Sequence, residues 1–208
     1  QDGAEIHESV ITLLALDRAE ADVTIMAPDM NQFHVINHLN GEEMDASRNI
    51  LIEAARIARG NVVDVATVTC DELEALIFPG GTGMAKNIFD YAMVGVECAI
   101  INEVQRLTME LLEAGKPLGA ICIAPVMVAK ILQKMGRNGK VTGGCNESIS
   151  NDIQTMGIET ESVGPGDIVI DEKNKIVTTP AYVEAQSIKE AAEGIEKLVN
   201  KVLEMIED

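Results

Sequence analysis

Lys116-Pro117-Leu118-Gly119-Ala120-Ile121-Cys122-Ile123-Ala124-Pro125 is the stretch that decides the fold. Leu118 to Ile121 reads as an apolar strand that delivers Cys122 to a sharp turn. A helix begins at once, from about Ala124 to Met135, with Pro125 tolerated in its first turn and Gly136 as its stop. A strand–turn–helix of this kind has the shape of a nucleophile elbow, which exposes a side chain above the C-terminal edge of a sheet. A thiol placed there meets unpaired N–H groups and the positive end of the helix dipole, both of which favour thiolate. Two readings of Cys122 stay open at this point: a reactive nucleophile, or a small buried hydrophobe.

Outward from this unit, helix and strand alternate, which predicts an α/β fold with a mainly parallel sheet. Asp2 followed by Glu5 predicts a capped helix running to about Ala19, with Ile6, Val10 and Leu13 as its core stripe. A strand is expected at Val23–Ala27, then an irregular polar loop from Asp29 to Asp45, and a helix from about Ser47 to Ala58. Strands follow at Val62–Ala66 and Leu76–Phe78. A long helix is expected from about Val96 to Ala114, carrying Ile100, Val104, Leu107 and Leu111 at helical spacing. After the decisive unit come a short strand at Val141, a helix near Ile149–Met156, and strands Ile168–Ile170 and Ile176–Thr178 as an antiparallel hairpin. A closing helix from about Val183 to Ile206 presents Ile188, Ile195, Val199 and Val202 on one face. The chain contains no repeat, low-complexity segment or linker, and residues 1–208 read as one domain. An α/β unit usually opens with a strand, so a first strand is expected before Gln1.

Composition narrows the function. With no Trp, two Tyr and three Phe, the core must be aliphatic, helped by ten Met. The formal charge of −18 argues against sequence-independent nucleic-acid binding and against an anionic membrane surface. No apolar run reaches the length of a transmembrane helix. Cys70, Cys98, Cys122 and Cys145 are widely spread, without a CxxC pair, and read as reduced thiols. Cys70 opens a loop, Cys98 falls inside the predicted long helix, and Cys145 follows Gly143-Gly144 in a loop.

Pro79-Gly80-Gly81-Thr82-Gly83 follows the strand ending at Phe78. Its spacing fits neither a P-loop nor a dinucleotide fingerprint. It is either an oxyanion-binding turn or a plain strand-to-helix connection. His7, His34 and His38 all precede Cys122, and none follows it. His34 and His38 are four residues apart but lack an HExxH-type partner, so neither metal nor cofactor is expected.

Asp2-Gly3-Ala4-Glu5-Ile6-His7-Glu8, Val35-Ile36-Asn37-His38-Leu39, Arg48 to Ile57, Pro79-Gly80-Gly81, Gly115 to Gly119, Cys122 to Pro125 and Lys175 to Tyr182 together resemble the ElbB branch of the ThiJ/PfpI superfamily. The resemblance implies a flavodoxin-like three-layer sandwich related to class I glutamine amidotransferases. It makes Cys122 the site cysteine and puts Glu8 against its thiol, although Glu5 and Glu8 fall opposite the predicted apolar stripe. Two departures matter. PfpI-type peptidases have a His directly after the nucleophile, where this chain has Ile123. Glutamine amidotransferases need a His-x-Glu pair C-terminal of the Cys, so amide hydrolysis is not expected.

The activity implied is glutathione-independent, glyoxalase-like conversion of small aldehydes or dicarbonyls. Cys122 would act as nucleophile, Glu8 as proton shuttle, and Gly80, Gly81 and Ile123 as oxyanion donors. The alternatives are a redox-sensing or protective protein using an oxidisable Cys122, and third, an amidotransferase-like subunit. The resemblance also implies a homodimer or larger homo-oligomer. The compartment is expected to be cytoplasmic, with the mitochondrial matrix as the alternative.

Overall fold

The computed structural model describes residues 1–207. The strands are β1 Met26–Ala27, β2 Val35–Asn37, β3 Glu42–Met44, β4 Val63–Asp64, β5 Leu76–Phe78, β6 Leu118–Ile121, β7 Lys140–Val141, β8 Glu159–Thr160, β9 Val169–Asp171 and β10 Ile176–Thr179. The helices are α1 Ile6–Arg18, α2 Ile50–Ile57, α3 Met84–Asn87, α4 Tyr91–Val94, α5 Asn102–Glu113, α6 Ala124–Lys134, α7 Glu147–Thr155 and α8 Ile188–Glu207.

The central sheet has the order β5-β6-β10-β9. β5, β6 and β10 are parallel, and β9 closes the edge antiparallel to β10, giving the expected hairpin. Side chains of β6 and β10 alternate between two apolar layers, as a pleated strand requires. Leu118, Ala120 and Ile176 face a layer built with α5 and α6. Ile121 and Val177 face Ile195, Leu198 and Val202 of α8, together with Ile11 and Ala15 of α1. Gly119 sits where a Cβ would lie 2.8 Å from Leu198 Cδ2, so its lack of a side chain lets α8 approach the strand closely. The result is the expected α/β sandwich.

β1 and β4 form a separate parallel pair. Between it and β5 lies a groove of about 1570 Å³, lined on one side by residues 23–28 and on the other by residues 73–79. The strand expected before Gln1 lies outside the described residues.

Several sequence expectations need correction. The cap of α1 is Glu5, whose carboxylate accepts the Glu8 N–H at 2.7 Å. Asp2 instead accepts the Ile36 N–H at 2.8 Å and faces His38 at 3.3 Å, tying the loop down. The predicted stripe of α1 points outward: Ile6 is 59% exposed and Val10 47%, while Glu8, Ile11, Thr12 and Ala15 are buried. Periodicity ranks helix faces by apolarity, and here a face carrying a carboxylate and a threonine is the one held against α8 and the sheet. The Asp29–Asp45 loop contains the antiparallel pair β2–β3. α5 begins at Asn102, because Asp90 accepts the Ala99 N–H and Ile101 N–H bonds to Ile88 O, keeping residues 98–101 out of the helix. Cys98 is therefore buried ahead of α5, not within it. Ile188, expected in the core, is 53% exposed, whereas Ile195, Val199 and Val202 are fully buried.

Ile131 of α6 has no exposed surface and packs in the layer behind Cys122. Ile131→Ala should cost about 2–5 kcal/mol, seen as a lower urea midpoint with an unchanged slope.

Candidate functional site

Four chain segments meet at the C-terminal edge of the sheet. β6 ends at Cys122, whose backbone N–H donates to Thr179 O of β10 at 2.9 Å. Cys122 holds φ at +62°, a left-handed conformation rare for a residue with a Cβ. Strain of this kind persists where the surroundings over-determine it, and here Thr179 on one side and α6 on the other do so.

The loop after β5 and the start of α1 clamp one another. Glu5 N–H donates to Gly80 O at 2.9 Å, and Gly80 N–H donates to Glu8 Oε2 at 2.8 Å. A Cβ on Gly80 would fall 2.5 Å from Cys122 Cβ, so only glycine fits there. The segment after β10 completes the enclosure, with Tyr182 N–H directed to Glu8 Oε1 at 3.4 Å. Glu8 has no exposed surface. Its carboxyl lies beside the Cys122 thiol and interacts with it, and the Gly81 and Ile123 N–H groups act on the same sulfur.

Burial lifts Glu8 from 4.5 to about 7, with the Glu5 charge adding to the shift. The N–H groups of Gly80 and Tyr182 and the Cys122 thiol pull the other way without prevailing. For Cys122, burial first and the Glu8 charge second push the thiol upward, against the pull of the Gly81 and Ile123 N–H groups. This corrects the expectation that the helix N-terminus holds a free thiolate: desolvation beside a carboxylate outweighs two N–H dipoles. Below about pH 7 both groups carry a proton; above it the carboxyl is ionised while the thiol keeps its own, and thiolate forms as Glu8 takes that proton.

The structure thus brings Cys122, Glu8, Gly80, Gly81 and Ile123 together. Gly80 differs from its expected role, because its N–H is spent on Glu8 and orients the carboxyl; Gly81 and Ile123 are the N–H groups that face sulfur. Sequence reasoning missed Tyr182, although the Lys175 to Tyr182 segment is among those that carry the resemblance; a backbone N–H leaves no residue-type signal. It also missed His7, whose Nδ1 lies 2.8 Å from Tyr182 Oη. His34 Nε2 lies 3.3 Å from Lys86 Nζ, and His38 Nε2 lies 3.3 Å from Asp2 Oδ1. Among the described residues no group of three or more His, Cys, Asp and Glu is placed to hold a metal ion.

An α/β sandwich with a strained cysteine at a strand-to-helix turn and a buried carboxyl on its sulfur defines a class of thiol proteins. Comparison makes the assignment definite: residues 1–192 match the DJ-1/PfpI family, and the chain belongs to it. It is 40% identical to human glutamine amidotransferase-like class 1 domain-containing protein 3, mitochondrial, over 98% of this chain and 78% of that protein. The crystal structure of an isoprenoid biosynthesis protein with amidotransferase-like domain from Ehrlichia chaffeensis superposes with a TM-score of 0.91 at 34% identity, covering 99% of this chain and 93% of that one. Glyoxalase III from Candida albicans shares the fold, with a TM-score of 0.60 at 14% identity over 98% of this chain and 88% of that one.

A buried carboxyl lifted from 4.5 to about 7 gives the folded state extra protons over that range, so stability falls as pH rises through it. The wild type should lose on the order of 3 kcal/mol relative to Glu8→Gln between pH 4.5 and 8. Paired urea titrations across this range check it, with the difference between proteins cancelling the general effect of net charge.

Proposed function

We propose that the protein converts small dicarbonyls to hydroxy acids without glutathione, through a covalent intermediate on Cys122. The observation that carries this reading is the fully buried Glu8 carboxyl, raised to about 7 and set beside the thiol it would serve. General acid–base groups work best with a pKa near the operating pH, and proton transfer by one such group typically contributes 10²–10⁴-fold.

Glu8 takes the thiol proton, and Cys122 Sγ attacks the aldehyde carbon to form a C–S bond. Glu8 returns the proton to the new alkoxide, which the Gly81 and Ile123 N–H groups face as it develops. Glu8, again a carboxylate, removes the hydrogen from that carbon, and an enediolate forms. Return of that proton to the neighbouring carbon, with the hydroxyl proton passing from the former aldehyde oxygen to its neighbour, yields a hydroxyacyl thioester. Water then cleaves the C–S bond, releasing the hydroxy acid and the thiol. The aldehyde carbon is oxidised while the neighbouring carbonyl carbon is reduced, so no external electron acceptor is needed.

A second reading, a protein that senses or absorbs oxidant, is favoured by the same Gly81 and Ile123 N–H groups, which would suit the oxygens of a Cys122 sulfinate. An amidotransferase-like role finds less support, since no histidine follows Cys122. The exposed stripe of Ile6, Val10 and Leu14 on α1 supports association with a second copy. The mitochondrial designation of the human relative supports the matrix alternative over the cytoplasm.

Hydroxy-acid formation from glyoxal and methylglyoxal tests the main reading. Turnover is expected in the wild type, with Cys122→Ala inactive and Glu8→Gln reduced by roughly 10²–10⁴-fold. Wild-type protein that forms no hydroxy acid, while peroxide oxidises Cys122 selectively, would move the assignment to the sensor.

A further inference from the structure

The Glu8–Cys122 pair leaves one part of the proposed reaction without a carrier. Turning a hemithioacetal, S–CH(OH)–CO–R, into its thioester, S–CO–CH(OH)–R, moves two protons. One passes from carbon to carbon, the other from oxygen to oxygen. Glu8 carries one proton at a time, and its carboxyl is held in place, with Oε2 on the Gly80 N–H and Oε1 toward the Tyr182 N–H. A carboxyl fixed against the thiol serves the carbon track. The oxygen track needs another group that donates a proton and is refilled from a neighbour.

Tyr182 and His7 have that arrangement. Tyr182 Oη and His7 Nδ1 are 2.8 Å apart, with ring centroids separated by 5.7 Å and planes tilted by 44°. Both residues flank Glu8. His7 precedes it in the first turn of α1, and Tyr182 reaches it through its own backbone N–H. Tyr182 is aimed by a rigid support: Ala181, fully buried, holds φ at +41° directly after the segment that receives the Cys122 N–H.

Consecutive helix side chains diverge by about 100° around the axis, so His7 does not share the buried face of Glu8. Its side chain is 49% exposed, and its hydrogen bond to the phenol lies at the exposed rim of the site. Glu5 Oε1 lies 3.9 Å from His7 Nδ1. Burial, then the charges of Glu5 and Glu8, raise the Tyr182 phenol, which stays an O–H donor. The elements therefore supply a phenol O–H at the rim, an imidazole bonded to it and in contact with water, and a carboxylate beside the imidazole.

We propose that Tyr182 and His7 are the second proton-transfer pair of this site, serving the oxygens of the dicarbonyl-derived intermediate; this rests on the glyoxalase-like reading above. Tyr182 donates its proton to the carbonyl oxygen as the enediol forms and is refilled through His7, which draws on the surrounding water. The proton on the former aldehyde oxygen returns through the same pair as the thioester carbonyl forms. Each cycle then ends with the protein's protons as they began. His7 acts through Tyr182 and is a positioning and relay residue, not a nucleophile or a substitute for the missing downstream base.

The test uses the full chain with methylglyoxal, following hydroxy-acid formation. His7→Ala should lower kcat on the order of 10²-fold with KM unchanged, and added imidazole should restore kcat in a saturable, pH-dependent way. Tyr182→Phe, which keeps the ring, should show a comparable loss that imidazole does not repair. Because His7 is exposed, a circular dichroism spectrum equal to wild type is expected for His7→Ala. Full kcat in either variant, or a His7→Ala defect that imidazole leaves untouched, overturns the relay. A wild-type protein without turnover overturns the glyoxalase-like reading and the relay together, and that failure shows before any rim residue is changed.

Discussion

The contact between the Glu8 carboxyl and the Cys122 thiol is the constraint on which the rest of the site depends. A carboxyl with no exposed surface is costly unless its oxygens find donors. Here the Gly80 and Tyr182 N–H groups supply them from two separate segments, with the Cys122 thiol alongside. Each donor dictates something local. The loop after β5 must have glycine at position 80, because a Cβ would collide with Cys122. Cys122 must leave the sheet at a left-handed φ. The chain after β10 must turn through Ala181 to bring the Tyr182 N–H inward. α1 must present a face with Glu8 and Thr12 to the protein, leaving Ile6 and Val10 outside.

That last consequence explains where the sequence was legible and where it was not. The β6–Cys122–α6 unit, the β9–β10 hairpin and the apolar face of α8 beyond Ile188 follow from runs and periods within a single segment, and the structure has them. The orientation of α1 depends on donors supplied by residues 80 and 182, far away in sequence, so periodicity chose the wrong face. Family resemblance placed Glu8 beside Cys122 where the helical pattern could not. The early end of the predicted Val96–Ala114 helix has the same origin, since Asp90 and Ile88 hold residues 99 and 101 from outside that window. Gly80 was expected as an oxyanion donor, but its N–H meets Glu8, because which partner a backbone N–H meets is set by tertiary geometry.

Charge and burial also act at different scales here. The formal charge of −18 acts over long range at the surface. The site is governed by desolvation of one carboxyl and one thiol, which raises both and couples them. Membership of the DJ-1/PfpI family fixes the fold. Chemistry on that fold is set by the groups around the sulfur. In this chain those are a carboxyl, two N–H groups and, at the rim, a phenol backed by an imidazole.

The most direct measurement of the raised carboxyl is an infrared pH titration of the Glu8 side chain, taken as the difference between wild type and Glu8→Gln. The account predicts a carboxylic-acid C=O band that persists to near pH 7 and then disappears, with thiol reactivity at Cys122 changing over the same range. A Glu8 band already lost by about pH 5, as for an ordinary solvated carboxylate, would contradict it.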